Sequence, residues 1–182
     1  MNMEGPLAGV RVLDLSRVLA GPFATMMLGD LGAEIIKIEM PGTGDDTRQW
    51  GPPFVEGESA YFLSINRNKK SIALNLKNAR AREIALKLAE TSDIAIENFT
   101  PGTARRLGLD YEALKRINTK IVYCSISGFG QDGPYRDWPS YDIAMQAMGG
   151  FMSITGEPDR PPVRIGVAVS DIISGMYATV AM

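Results

Sequence analysis

The hydrophobic pattern of the chain switches between two periods and predicts strands that alternate with helices. Four apolar runs rich in β-branched residues predict strands, at residues 10–15, 34–39, 93–97 and 121–127. Helical patterns lie between them, at residues 21–31, 79–91 and 111–118. Pro22 and Gly32 are typical of the two ends of the first helix, and Asn78 and Asp110 are placed to cap the other two. This alternation predicts an α/β fold with a mainly parallel sheet and helices on both faces.

The carboxyl ends of the predicted strands are where we expect a ligand site. In open α/β sheets ligands bind at that edge. The segments that leave it are residues 16–22, 40–48, 98–106 and those from 128 onward. Two long stretches rich in Gly and Pro, residues 40–57 and 128–139, interrupt the alternation, and loops of this length are usually functional or disordered.

Composition narrows the chemistry that the chain can perform. Its 182 residues suit one globular domain, and a net charge of −2 argues against nucleic-acid binding. There is no histidine and one cysteine, Cys124, so a histidine triad, a histidine metal site and an internal disulfide are excluded. Neither a leader sequence nor an apolar run of about 18 residues is present. We therefore expect a soluble protein, by default cytoplasmic or in an organelle matrix, with no membrane span.

A glycine-rich motif follows the last predicted strand. Gly128–Gly133 matches G-x-G-x-x-G, the pattern of dinucleotide-binding sites. Such a site needs a helix to begin at once, so that its N-terminus meets the pyrophosphate, whereas Pro134 and Pro139 bracket the next residues. We interpret the motif as a glycine-rich loop and not as a nicotinamide-cofactor site.

Three polar segments have a structural and a functional interpretation each. The basic cluster Asn66–Ser71 is either a solvated turn between strands or an anion clamp for phosphate or carboxylate. Asn98–Gly102, followed by Arg106, is either an ordinary strand-to-helix turn or a phosphate contact. Asp171 is the lone charge in an apolar run. It either marks the first turn of a helix capped by Ser170, or is a nucleophile that helix amides keep ionised.

Together these motifs resemble one family. The chain is similar over nearly its whole length to the N-terminal portion of class III coenzyme A transferases, which include formyl-CoA and carnitine CoA transferases. The segments that carry the resemblance, in family order and spacing, are Leu7–Asp14, Ala20–Pro22, Leu31–Glu39, Gly44–Arg48, Asn66–Ser71, Glu97–Phe99, Tyr141–Asp142 and Ser170–Asp171. Within the family the similarity is greatest to enzymes with dicarboxylate acceptors, such as the succinyl-CoA–glutarate enzymes.

The resemblance implies a fold and an assembly. Residues 1–182 would form the Rossmann-like, CoA-binding large domain of a two-domain protein. The second domain and a glycine-rich active-site loop would lie beyond Met182, and the complete protein would be an interlocked homodimer. The helical pattern from Val167 to Met182 ends on apolar residues without a cap, which agrees with a longer polypeptide.

The resemblance also implies residue roles. Asp171 matches the family's nucleophile, which would carry CoA from an acyl-CoA such as succinyl-CoA to a carboxylic acid through aspartyl anhydride and aspartyl-CoA thioester intermediates, without a metal. Tyr141 and Asp142 match the acyl side of the pocket. The residues that match CoA contacts are Leu19, Ala20, Leu74, Asn75, Leu76, Lys77, Asn98, Phe99, Thr100 and Arg106.

One departure and two alternatives accompany this interpretation. Many members have a basic residue that meets the CoA nucleotide where this chain has Met40, so that contact is lost or comes from Lys69, Lys70 or Arg67. α-Methylacyl-CoA racemases of the same family have a histidine in place of Tyr141, which favours transfer over racemisation here. A non-catalytic acyl-CoA-binding module is the other alternative.

Overall fold

The computed structural model describes residues 5–182 and contains a five-stranded parallel sheet. The strands of the chain are β1 (Arg11–Asp14), β2 (Glu34–Glu39), β3 (Phe54–Val55), β4 (Glu58–Ser59), β5 (Lys69–Ala73), β6 (Ile94–Glu97) and β7 (Val122–Ser125). The sheet has the order β5-β2-β1-β6-β7, and every neighbouring pair in it is parallel. Strands β3 and β4 form a separate antiparallel pair.

Within residues 5–182, seven α-helices connect and flank these strands. They are α1 (Ala20–Asp30), α2 (Ala60–Asn66), α3 (Ala79–Glu90), α4 (Thr103–Leu107), α5 (Tyr111–Ile117), α6 (Asp142–Met148) and α7 (Val169–Ala181), with short 3-10 helices at Asp46–Gln49 and Phe151–Ile154. No helix in residues 5–182 is both long enough and apolar enough to cross a membrane. Residues 1–4, on which the expectation of no leader partly rests, lie outside the described residues.

The α/β fold with a parallel sheet is confirmed, as are the four predicted strands and the four predicted helices, which are α1, α3, α5 and α7. The Asn78 carboxamide oxygen accepts the amide of Arg80 at 2.9 Å and caps α3 as expected. Asp110 stands at the N-cap position of α5 without a side-chain capping bond, and it instead lies 3.5 Å from Arg105. Helices α2 and α6 and strands β3, β4 and β5 have no counterpart among the predicted elements.

The two faces of the sheet have separate cores, as alternation along a strand requires. Leu13 and Ala95 pack towards α3 and α5, in a cluster that includes Ala85. Val12 and Ile94, one residue earlier on the same strands, pack towards α1 and α7. Helices therefore cover both faces, and the carboxyl edge of the sheet is left for the connecting loops.

Helix α7 lies against α1, and a glycine permits the approach. A side chain at Gly175 would place its Cβ only 2.6 Å from the carbonyl oxygen of Ala20, so only a glycine fits there. One turn further on, the buried Ala178 packs in the same cluster as Ala24. This contact brings the start of α7, with Ser170 and Asp171, to the edge of the sheet where α1 begins.

Candidate functional site

A cavity of about 390 Å³ opens at the carboxyl edge of the sheet. It lies where the strand order reverses between β1 and β6, which is where ligands bind in doubly wound sheets. Its lining comes from the loops after β1, β6 and β7 and from the starts of α6 and α7. The lining residues are Val18, Leu19, Ala20, Asn98, Phe99, Thr100, Pro101, Ile126, Ser127, Gly128, Phe129, Arg136, Trp138, Pro139, Ser140, Tyr141, Met145, Ser170, Asp171 and Ser174.

Asp171 lies in this cavity, in the first turn of α7 and half-buried. Burial first, and the neighbouring charge of Asp142 second, raise the pKa of Asp171 to about 6. Desolvation therefore acts against the helix amides that were expected to keep Asp171 ionised. The group is still ionised at neutral pH, since its pKa lies below 7.

The cap of α7 differs from the sequence expectation. Ala168 holds the N-cap position, and Ser170 is the second residue of the helix. The amide of Ser170 donates to Asp142 Oδ1 at 2.9 Å, so a carboxylate from α6 takes the capping role. The sequence could not show this, because the acid is 28 residues away.

The two residues matched to the acyl side of the pocket behave differently. Tyr141 lines the cavity and is 81% exposed, so its ring and hydroxyl are free to meet a ligand. Asp142 does not line the cavity. One of its carboxylate oxygens accepts from Ser170 and the other accepts the Gln146 amide at 2.7 Å, so both are already engaged.

The loop after β1 forms one wall of the cavity and is held from two sides. The Asn98 side chain bonds both the amide and the carbonyl of Arg17, at 2.8 and 2.7 Å. Val18 has a φ of +67°, which is rare for a β-branched residue, and its amide lies 3.3 Å from both oxygens of Asp45. Lys37 completes this support, donating to the carbonyl of Ser16 at 2.8 Å.

Half of the residues matched to CoA contacts lie at the cavity, and half do not. Those that line it are Leu19, Ala20, Asn98, Phe99 and Thr100; those that do not are Leu74, Asn75, Leu76, Lys77 and Arg106. Residues 74–77 leave the carboxyl end of β5, the strand farthest from β7 in the sheet, and Leu74 is buried in the core. Arg106 is exposed on α4 and donates to the Thr103 hydroxyl at 2.6 Å.

The basic cluster Asn66–Ser71 contains a turn at Arg67 and Asn68, which joins α2 to β5 and not two strands, and it is not an open anion clamp. Its second half is strand β5, and each of its cations faces a carboxylate of this chain. Arg67 pairs with Asp30 at 2.5 Å and Lys70 with Glu34 at 2.6 Å. Lys69 is buried 3.5 Å from Asp14. Burial lowers the pKa of Lys69 to about 8, although the charge of Asp14 acts in the opposite direction. None of the three is an uncommitted substitute for the cation missing at Met40.

Sequence reasoning placed the long loop after β7 at the ligand-binding edge but did not predict which of its side chains line the cavity. Phe129 and Trp138, with ring centroids 6.2 Å apart, line the cavity together with Arg136. The glycine-rich stretch after a strand was the available signal, but it could not show which side chains turn inward. A second cavity of about 810 Å³ lies between α1, α2 and the start of α7 and shares Leu19 with the first.

Comparison with known proteins identifies the family. The model of CoA-transferase family III matches residues 7–182, and the chain belongs to that family. It is 58% identical over 173 residues to a succinyl-CoA:glutarate CoA-transferase of Mus musculus, covering 95% of this chain and 40% of that protein. It is 52% identical over 187 residues to a succinate–glutarate CoA-transferase of Agrobacterium fabrum, covering 100% and 47%.

A solved structure shows the same fold. The crystal structure of a CaiB/BaiF family protein from Brucella suis is 50% identical, with a TM-score of 0.95, and the match covers 98% of this chain and 48% of that one. The resemblance inferred from the motifs is therefore confirmed. The chain spans less than half the length of these relatives.

Proposed function

We propose that the protein containing this chain transfers coenzyme A from an acyl-CoA donor to a carboxylic acid, with Asp171 as the nucleophile. The observation that carries the proposal is the Asp171 carboxylate, which has no ion-pair partner within residues 5–182 and lines the cavity at the switch point of the sheet. Family membership and the names of the relatives support it. Those names also favour succinyl-CoA as donor and a dicarboxylate such as glutarate as acceptor.

The chemistry requires two exchanges at one carboxylate. An oxygen of Asp171 attacks the thioester carbonyl, the C–S bond breaks, and a mixed anhydride and CoA thiolate form. The thiolate attacks the aspartyl carbonyl and releases the donor acid, which leaves an aspartyl-CoA thioester. The acceptor carboxylate attacks that thioester to give a second anhydride, and the thiolate takes the acceptor acyl group. Asp171 is regenerated, and no net proton is consumed.

The cavity walls suit these intermediates. Leu19 and Ala20 are buried and, with Phe99 and Phe129, present apolar surface beside Asp171, which limits the water that could hydrolyse an anhydride. Ala20 opens α1, so its amide has no partner within the helix and is available to a developing oxyanion.

Further parts of the proposal rest on the family resemblance. The CoA nucleotide would extend from the cavity over Asn98–Thr100 towards Arg106 and the segment 74–77. The complete protein would add a second domain with a glycine-rich active-site loop and act as an interlocked homodimer in the cytoplasm. Residues 5–182 contain no cluster of three or more acidic or cysteine side chains arranged to hold a metal.

Trapping tests the nucleophile directly. The full-length protein, incubated with succinyl-CoA and then hydroxylamine, should carry a hydroxamate on the peptide that contains Asp171. Asp171→Asn should abolish both the label and the transfer to glutarate. Asp159→Asn is the matched control, because Asp159 is exposed and its φ of +57° suits asparagine. A label on another carboxylate, or turnover by Asp171→Asn, would contradict the proposal.

Isotope exchange separates transfer from racemisation. A racemase removes and returns the α-proton of a 2-methylacyl-CoA through two groups on opposite faces. The chain has no histidine, and Tyr141 stands where those relatives have one. We expect no α-deuteration of a 2-methylacyl-CoA in heavy water; rapid deuteration would overturn the assignment to transfer.

A further inference from the structure

Gln146 is a polar side chain in an unexpected place. It is fully buried in α6, with an exposure of 0%, and does not line the cavity. Buried amides persist only where their hydrogen-bonding groups are satisfied. Its Nε2 donates to Asp142 Oδ2 at 2.7 Å and to the carbonyl of Val167 at 3.2 Å, while its Oε1 accepts the amide of Ile165 at 2.8 Å.

These bonds converge on the segment that leads into α7. Ile165 and Val167 precede α7, so Gln146 fixes the backbone at two residues of the segment before that helix. Asp142, which Gln146 holds in turn, accepts the amide of Ser170 at 2.9 Å. Ser170 immediately precedes Asp171 in the chain. Two side chains of α6 thus fix the backbone on the N-terminal side of the carboxylate, and neither of them reaches the cavity.

We propose that Gln146 is a positioning residue for Asp171, acting through Asp142 and the backbone of residues 165–170. The inference rests on the proposed function. A displacement of about 1 Å at a reacting group can cost about 100-fold in rate. Side chains that position Asp171 without touching the substrate should therefore affect the rate.

The geometry requires a side-chain amide at this position. One neutral carboxamide group can donate to both a carboxylate and a carbonyl and can also accept from a backbone N–H. A glutamate of the same shape would place two carboxylates at hydrogen-bond distance, where they repel. A methionine would leave Ile165 and Val167 without their partners. Neutrality also leaves the charge of Asp142 uncompensated beside Asp171, whereas a lysine or arginine would compensate it.

The first test is Gln146→Glu in the full-length protein. The repulsion should release Asp142 from Ser170 and displace Asp171. We expect kcat for transfer to glutarate to fall about 100-fold, while KM for succinyl-CoA stays within about threefold, because Gln146 does not touch the cavity. Gln49→Glu is the matched control, since Gln49 is exposed and lines neither cavity.

The second test is rescue by the pair Gln146→Glu with Asp142→Asn. The introduced carboxylate then accepts from the introduced amide and from Ile165. The oxygen of that new amide still accepts from Ser170, so only the Val167 bond is lost. We expect kcat at least about tenfold above that of Gln146→Glu, as a positive coupling in a double-mutant cycle. A general loss of packing would not be rescued in this way.

The outcomes separate the inference from the proposed function. If the wild-type protein transfers CoA but Gln146→Glu retains kcat within twofold, or the folded pair variant is no faster than Gln146→Glu, the positioning role is wrong. If Gln146→Glu does not fold, the pair variant decides, and a kcat within about tenfold of wild type supports the role. If the wild-type protein transfers no CoA, the proposed function itself fails.

Discussion

The carboxylates on the two sides of the loop after β1 have opposite surroundings. Beneath β1, β2 and β5 each acid faces a cation: Asp45 lies 3.0 Å from Lys37, and Glu39 2.7 Å from Arg48. At the start of α7, Asp171 makes no ion pair with any described residue, and the charge that acts on it is the acid Asp142.

The difference appears in their proton affinities. Burial raises the pKa of Glu39, but Arg48, Ser71 and the Asp45 amide outweigh it and bring the value down to about 2. Burial and a like charge act in the same direction on Asp171 and raise its pKa to about 6. The sign of the nearest charge therefore accounts for the difference between the pKa values of Glu39 and Asp171.

Removing the uncompensated acid should have the largest effect. Asp171→Ala should lower transfer at least about 1,000-fold, because no other carboxylate of residues 5–182 lines the cavity to replace the nucleophile. CoA affinity should stay within a few-fold, since the proposed nucleophile would meet the thioester and not the nucleotide. Steady-state rates and calorimetry on the full-length protein measure the two quantities. A parallel loss of affinity would place Asp171 in binding instead.

Breaking a compensated pair should instead cost stability. Lys37→Met leaves Asp45 buried and unpaired beneath the loop that lines the cavity, which typically costs about 3–5 kcal/mol of unfolding free energy. Lys70→Met is the control, because its pair with Glu34 is exposed, and its unfolding midpoint should barely change. Urea unfolding compares them; equal midpoints would show that the buried pair does not support this half of the molecule.

Elements set by a local apolar pattern could be predicted from the sequence, whereas contacts between residues far apart in the chain could not. Apolar periodicity sufficed for β1, β2, β6 and β7, because each alternates or runs apolar over its own few residues. Strand β5 was missed because it begins with two lysines, and only the tertiary fold shows that Lys69 meets Asp14, 55 residues away. The roles of Asp142 and Gln146 were hidden for the same reason, since their partners are 19 to 28 residues further along the chain.

A smaller effect is expected at the edge of the site. Arg106→Ala should raise Kd for CoA about tenfold through loss of a charge-assisted bond. Arg116→Ala on α5 is the control, because α5 does not contribute to the cavity. Calorimetry on the full-length protein checks both. An unchanged Kd would move the phosphate contact elsewhere, and Arg136, which lines the cavity, would be the next residue to change.

The smallest expected effect is on pH dependence, where the loss of rate through Asp171 is compared with the loss of stability through Glu39. The proposed transfer requires the ionised Asp171 carboxylate, so with a pKa of about 6 the rate at pH 5.5 should be about fourfold below that at pH 7.5. The ion pair of Glu39 stabilises the fold above its unfolded pKa of 4.5 and is lost only as pH falls through about 2. The rate loss should therefore be reversible and precede unfolding, as circular dichroism at each pH would show.

The contact between α1 and α7 has a consequence for the order of folding. The Thr179 hydroxyl lies 3.4 Å from the carbonyl of Ala24, 155 residues apart in the chain. Closing so long a segment carries an entropic cost that local helices and neighbouring strands do not pay. We therefore expect the cavity to be completed after most of the sheet has formed. During synthesis, the cavity wall formed by Val18–Ala20 leaves the ribosome well before α7, which completes the cavity.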